Sequence, residues 1–200
     1  MKLVCFGDSL THGYKIKLSE AWPSLISKKY NVEVLNKGII GDTTGGMLAR
    51  LNIDVLMEKP SHAVIMGGCN DLLWGVPLSV IEANIAAMVH QSYHNCIIPI
   101  IGIPIPCAVD MAKRYWPFVN NFDLVNKYLI AYRDWIFDFA NDFHVDILDF
   151  YNCFIDDQNT IKDVNYVDGI HPTVKGNLMM SELAKYLFKD VSNFDCLGAG

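Results

Sequence analysis

The sequence holds no long apolar run, no paired-cysteine spacing, no basic cluster and no internal repeat, and each absence removes a class of protein. None of its apolar stretches approaches the about 20 residues that a membrane-spanning helix needs, so no integral membrane segment is expected. The N-terminus, Met-Lys-Leu-Val-Cys-Phe-Gly-Asp, enters a strand pattern at once, without the apolar stretch and small-residue cleavage site of an export signal. Six cysteines (Cys5, Cys69, Cys96, Cys107, Cys153, Cys196) are scattered through apolar sequence and form neither a C-x-x-C pair nor a zinc-finger spacing. They read as reduced thiols in a chain expected in the cytoplasm. Basic residues number 16 against 22 acidic ones, a formal charge of −6, and the longest basic runs are the pairs Lys28-Lys29 and Lys113-Arg114. Phosphate binding depends on clustered Lys and Arg, so neither nucleic acid nor an anionic membrane is an expected partner.

What is present is apolar and regularly spaced. Hydrophobic residues make up 52% of the 200, with ten Phe, nine Tyr and four Trp, which excludes a disordered segment and allows one substantial core in one domain spanning residues 1–200. Strand patterns fall at Lys2 to Phe6, Val32 to Asn36, His62 to Met66, Cys96 to Ile103 and Val145 to Leu148. Between them lie helix-period faces. Met47, Leu48, Leu51 and Val55 form one, ended by Lys59-Pro60. Ile81, Ile85, Met88 and Val89 form another, with Ser79 and Glu82 placed as a capping box. Val125, Tyr128, Leu129, Tyr132, Ile136 and Phe139 form the clearest, and Met179, Met180, Leu183, Ala184 and Leu187 mark a last helix. Strands alternating with helices predict parallel pairing through right-handed crossovers, hence a three-layer α/β/α sandwich. Ligands bind such sheets outside the carboxyl ends of the strands.

Four polar segments occupy those positions. Gly7-Asp8-Ser9-Leu10 follows the first strand pattern, and Asn36-Lys37-Gly38-Ile39-Ile40-Gly41-Asp42-Thr43-Thr44 the second. Gly67-Gly68-Cys69-Asn70-Asp71 follows the third, and Asp168-Gly169-Ile170-His171-Pro172 precedes the last helix. Singly, each is an ordinary turn or helix start; together they supply what acyl transfer requires. A serine hydroxyl is a weak nucleophile that needs an adjacent base. An imidazole, with an unperturbed pKa of about 6.5, can accept a proton and return it. A carboxylate must hold that imidazole in the right tautomer, and Asp168 lies three residues before His171. The oxyanion of the tetrahedral intermediate needs aligned donors, for which the Ser9 and Gly41 N–H groups and the Asn70 amide are candidates.

In order and spacing these segments resemble the conserved blocks of the SGNH hydrolases, the GDSL esterases and lipases, whose Ser, Gly, Asn and His fall here on Ser9, Gly41, Asn70 and His171. The resemblance runs from Phe6 into the last helix. It implies a flavodoxin-like sheet of five parallel strands, hydrolysis of carboxylic esters or thioesters of small acyl groups through an acyl-enzyme, a small-molecule acyl ester as substrate, and no metal or organic cofactor. A carbohydrate O-deacetylase, an acyltransferase and a catalytically silent binding module stay open as alternatives, as does assembly into a homo-oligomer.

The remaining polar residues read as structural. Asp8, Asp42 and Asp71 are expected to hold their loops by accepting backbone N–H bonds, and His12 is expected on a surface loop. His90 and His94 have the i, i+4 spacing of a two-histidine metal site but no third ligand, and read as a solvated helix face. The glycines around Gly38, Gly41, Gly45 and Gly46 lack the spacing and the Lys-Ser/Thr of a phosphate cradle, and no G-x-S-x-G elbow occurs. Pro104 to Asn121 is long and bulky enough to wall a substrate pocket, with Tyr115 and Trp116 as its candidate residues; a short helix packed on the core is the alternative.

Overall fold

β1 (Lys2–Gly7) sets the plan of the molecule, a computed structural model that describes residues 1–119, 121–158 and 160–187. Successive side chains of a strand point to opposite faces, and β1 divides accordingly: Val4 and Phe6 enter one core, Leu3 and Cys5 the other. A strand buried on both faces belongs in a parallel sheet covered by helices. With β2 (Glu33–Gly38), β3 (His62–Met66), β4 (Ile98–Ile103) and β5 (Asp146–Asp149) it forms a five-stranded, all-parallel sheet in the order β2-β1-β3-β4-β5. That is the flavodoxin-like order, and the expected three-layer architecture holds.

The helices are α1 (Ser9–His12), α2 (Trp22–Tyr30), α3 (Thr44–Leu51), α4 (Cys69–Leu73), α5 (Leu78–His94), α6 (Val109–Tyr115), α7 (Phe122–Phe143), α8 (Phe150–Cys153) and α9 (Val174–Glu182). On one face α3, α5 and α7 bring Met47, Leu51, Ile81, Ile85, Leu129 and Ile136 against Val4, Phe6, Ile65 and Ile101. On the other, α2 and α9 bring Trp22, Ile26 and Met180 against Leu3, Cys5, Val64 and Ile100. Each fully buried Ile or Leu side chain contributes about 2 kcal/mol of transfer free energy to this packing. Among the described residues no helix is long and apolar enough to cross a membrane, and the five described cysteines are unpaired; Cys196 lies outside them.

Several boundaries differ from the sequence reading, each for a local reason. β4 starts at Ile98, because Cys96 adopts a left-handed φ of 58° that turns the chain out of α5. The capping box at Ser79 does not form: Pro77, extended at φ −58° and ψ 139°, starts α5 at Leu78 and leaves Ser79 inside the first turn without a side-chain cap. The face from Met47 to Val55 is α3 followed by a wide turn over Asn52–Leu56, which still carries Val55 into the core. Tyr128 drops out of the α7 stripe and is exposed. α9 ends at Glu182, and Leu183 and Ala184 continue in a tighter 3-10 turn.

Register brings the carboxyl ends of the three strands beside the switch point to one level. Gly7 pairs with Gly38 on β2 and with Met66 on β3. The residues that follow these three positions therefore emerge side by side.

Candidate active site

Ser9 is the first residue of α1 and is buried, and the preceding Asp8 caps that helix, its Oδ1 accepting the Leu10 N–H at 2.8 Å. The position fixes Ser9 at the mouth of the crevice next to a hydrogen-bonding N-terminus. Its Oγ lies 3.0 Å from Nε2 of His171, 162 residues away in sequence. Nδ1 of the same ring lies 3.0 Å from both carboxylate oxygens of Asp168. The chain Ser9–His171–Asp168 is thus continuous.

The loop carrying His171 and Asp168 is pinned at several points. Tyr166 and Pro172 form an antiparallel bridge, and the Val167 N–H donates to the His171 carbonyl at 2.8 Å. The Tyr166 hydroxyl donates to the Pro106 carbonyl at 2.6 Å, and the Ala108 N–H to that of Gly169 at 2.8 Å, which fastens the loop to the segment after β4. Asp168 is fully buried. Its Oδ1 also accepts the Ile170 and His171 N–H groups at 3.1 and 3.0 Å, and Lys15 Nζ donates to Oδ2 at 3.1 Å. Burial alone would raise its pKa, but the hydrogen bonds and charges of His171 and Lys15 outweigh it and hold the carboxyl well below the usual carboxylate range. It therefore stays anionic at neutral pH.

Gly41 and Asn70 stand across from this chain. Gly41 has φ +79°, open to glycine but costly for a side chain, and a Cβ there would meet nothing within 4 Å. Glycine is required by the turn itself, and the space beside its backbone is clear. The Gly41 N–H and the Ser9 N–H have no partner among the described residues. Asn70, on α4, donates from Nδ2 to the Asp42 carbonyl at 2.8 Å and toward Asp8 Oδ2 at 3.3 Å. One amide hydrogen anchors the side chain and the other is loosely held.

The acidic residues of the motifs hold loops as expected. Asp71 accepts from the Thr44 N–H and hydroxyl at 2.9 and 2.7 Å. Asp42 accepts the Thr43 N–H at 3.0 Å and also pairs with Arg50 Nε at 2.7 Å. Asp8 has its pKa pushed up to about 7, first by burial and further by the charges of Asp42 and Asp71, against the lowering effect of the Leu10 N–H. Arg50 was not singled out in the sequence, and it ties the site together: its guanidinium also reaches the carbonyls of Lys37 and Gly7 at 3.0 and 2.9 Å and Asp54 at 2.8 Å. The Asp-x₇-Arg spacing spans a loop and two helical turns, so no local rule flags it.

A cleft of about 360 Å³ opens beside His171 and Asn70, walled by Leu73, Trp74, Trp116, Phe118, Val119 and Ile170. Trp116, Phe118 and Val119 belong to the segment 104–121, of which Asn120 lies outside the described residues. Part of that segment is a short helix, α6, whose Ala112 is buried in the core, as one of the two readings has it. Tyr115 is exposed and stands apart from the cleft lining, its ring 5.9 Å from Lys15 Nζ. Leu73, Trp74 and Ile170 flank motif residues but were not picked out. His12 is half-buried on α1 and lies 3.2 Å from the Gly38 carbonyl through Nδ1. His90 and His94 are solvated, His90 lying edge-on to Phe139 and Phe143, and no group of three metal-ligating side chains occurs among the described residues.

Strand order and layering define a flavodoxin-like α/β protein, and a continuous Ser–His–Asp chain stands at its switch point. The chain belongs to the GDSL-like lipase/acylhydrolase family, whose model matches residues 5–178. It is 36% identical to an arylesterase of Vibrio mimicus over 122 residues, 57% of this chain and 59% of that protein. It is 33% identical to esterase TesA of Pseudomonas aeruginosa over 110 residues, 52% and 55% of the two chains. The matches thus span little more than half the length of these curated relatives. A lipolytic protein of the G-D-S-L family from Desulfitobacterium hafniense superposes with a TM-score of 0.80 at 29% identity, covering 93% of this chain and 98% of that one.

Proposed function

We propose that this chain, acting as one domain, is a carboxylic ester hydrolase that works through an acyl-enzyme on Ser9. The observation that carries the reading is the 3.0 Å contact between Ser9 Oγ and His171 Nε2, backed by the buried Asp168. Nε2 takes the serine proton as Oγ bonds to the acyl carbon. The Ser9 and Gly41 N–H groups and the second amide hydrogen of Asn70 receive the oxyanion, each such donor contributing about 3–4 kcal/mol in other serine hydrolases. Asp168 stabilises the imidazolium. The tetrahedral intermediate expels the alcohol or thiol, which leaves with the proton held on Nε2. Water then attacks the acyl-enzyme, giving its proton to His171, and the acid departs as Ser9 recovers its hydrogen. No step calls for a metal.

The aromatic and aliphatic walls of the cleft favour uncharged acyl or aryl groups, in keeping with the arylesterase and esterase names of the relatives. The test is hydrolysis of p-nitrophenyl acetate, butyrate and octanoate by the native chain and by Ser9→Ala. Loss of the nucleophile in such a triad costs about 10⁶-fold in turnover, so the variant is expected at background. Equal activity in both proteins would refute the assignment.

A further inference from the structure

The loop after α1 turns through two left-handed residues, Gly13 at φ +91° and Lys15 at φ +64°. Glycine enters that region freely and a residue with a Cβ does so at a cost, yet position 15 carries a long cationic side chain. Its ammonium lies 3.1 Å from Asp168 Oδ2 across 153 residues of sequence. It also stands within 6 Å of three rings, at 5.4 Å from Tyr14, 5.9 Å from Tyr115 and 5.8 Å from Trp116. Tyr14 and Trp116 in turn lie 4.4 and 6.1 Å from the His171 ring. The Lys15 side chain is 38% exposed and that of Asp168 fully covered, so Lys15 closes the solvent side of the acid.

Asp168 does not need this partner to be satisfied. Three N–H groups, those of Ile170 and His171 in the backbone and Nδ1 in the ring, already meet its oxygens. What Lys15 adds is a positive charge on the oxygen that faces away from the loop backbone. A bare carboxylate against an imidazole favours the imidazolium, and an imidazolium in the resting enzyme cannot take the serine proton. A cation on the far side of the same carboxylate opposes that outcome.

Resting on the serine-hydrolase reading above, we propose that Lys15 is a positioning residue that offsets the charge of Asp168 and keeps His171 in its proton-accepting form toward acid pH. The titratable groups facing the ring are Asp168 from its own loop, Ser9 from α1, and Tyr14 and Lys15 from the loop after α1. Tyr115, at the end of α6, meets Lys15. Asp8, Asp42 and Asp71 form a separate cluster on the Asn70 side, shared by every variant below.

The test is kcat/KM for p-nitrophenyl butyrate from about pH 5 to about pH 9 in the native chain, Lys15→Met, Lys15→Arg and Ser9→Ala, with thermal midpoints of each. Partial exposure screens Lys15, so its removal is expected to move the midpoint of the acid limb up by about half to one pH unit. Below that midpoint Lys15→Met loses about three- to tenfold in kcat/KM, while its alkaline plateau changes less. Lys15→Arg, which keeps the charge, retains the native acid limb. Added salt narrows the gap between Lys15→Met and the native chain. Superimposable acid limbs for Lys15→Met and the native chain would overturn the proposal, as would an equal displacement in Lys15→Arg. Activity surviving in Ser9→Ala would bring down the serine reading and this inference with it; loss there beside an unmoved Lys15→Met brings down the role of Lys15 alone.

Discussion

Replacing Asp168 by Asn tests the orienting acid with little change in shape. The carboxylate meets five contacts from four donor groups: the Ile170 and His171 N–H groups and the ring on Oδ1, the ring and Lys15 on Oδ2. An amide has one acceptor oxygen. If that oxygen stays on the two backbone N–H groups, the new NH₂ faces Lys15 and the ring nitrogen. Nδ1 must then accept rather than donate, so the ring carries its proton on Nε2 and points it at Ser9. The base is lost while the geometry survives. In a serine protease the same change costs about 10⁴ in kcat, which corresponds to ~5 kcal/mol of barrier. Turnover of p-nitrophenyl butyrate near pH 8 should fall by about that factor, with KM nearly unchanged. Stability offers a second readout. Because the Asp168 carboxyl is held below its ordinary range in the folded state, its contribution is present above the unfolded-state pKa and is lost as pH falls through the folded one. Native stability in urea should therefore drop steeply at acid pH, and the Asn variant should lack that component. A loss of turnover under tenfold would refute the reasoning.

Two further outcomes follow from the site's supports. Arg50→Met removes the ion pairs to Asp42 and Asp54 and leaves the Gly7 and Lys37 carbonyls without their guanidinium donor, which should destabilise the fold by about 3 kcal/mol in urea titration; an effect under ~1 kcal/mol would contradict it. Asp8, with its pKa raised from 3.8 to about 7, binds its proton more tightly folded than unfolded, so its contribution is full below about 3.8 and is lost as pH rises to about 7. The native chain should lose stability against Asp8→Asn across that window, and parallel urea midpoints from about pH 4 to about pH 8 would count against the buried, like-charged environment.

The central strands were legible because β1, β3 and β4 are buried on both faces and read as apolar runs; β2 and β5 are only partly covered, and their bounds fall one or two residues from those the sequence suggests. The candidate site was legible for a related reason: three of the four polar segments lie where a strand stops, and the fourth opens onto the last helix. What escaped was whatever acts over distance or through few residues. α2 commits only Trp22, Pro23 and Ile26 to full burial, too short a stripe to show helical period. Arg50 belongs by position to the polar face of α3, and only the folded chain shows that this face looks onto the ends of β1 and β2. Lys15 sits in a turn whose left-handed φ no lysine advertises. The capping box at Ser79 misled because a proline two residues earlier starts the helix first.

The wide separation of Ser9 and His171 has a consequence for synthesis and folding. The sheet edge that bears the serine is encoded within the first third of the sequence, and the imidazole that meets it comes from a loop near the end, fastened to Pro106 and Ala108. Contacts of such long range close late, after the loop entropy between them has been overcome. A chain emerging from the ribosome N-terminus first therefore displays the hydroxyl long before it has a base for it. The Ser9–His171 contact spans 162 residues of sequence, so in the proposed mechanism the serine stays without its base until the C-terminal loop has docked.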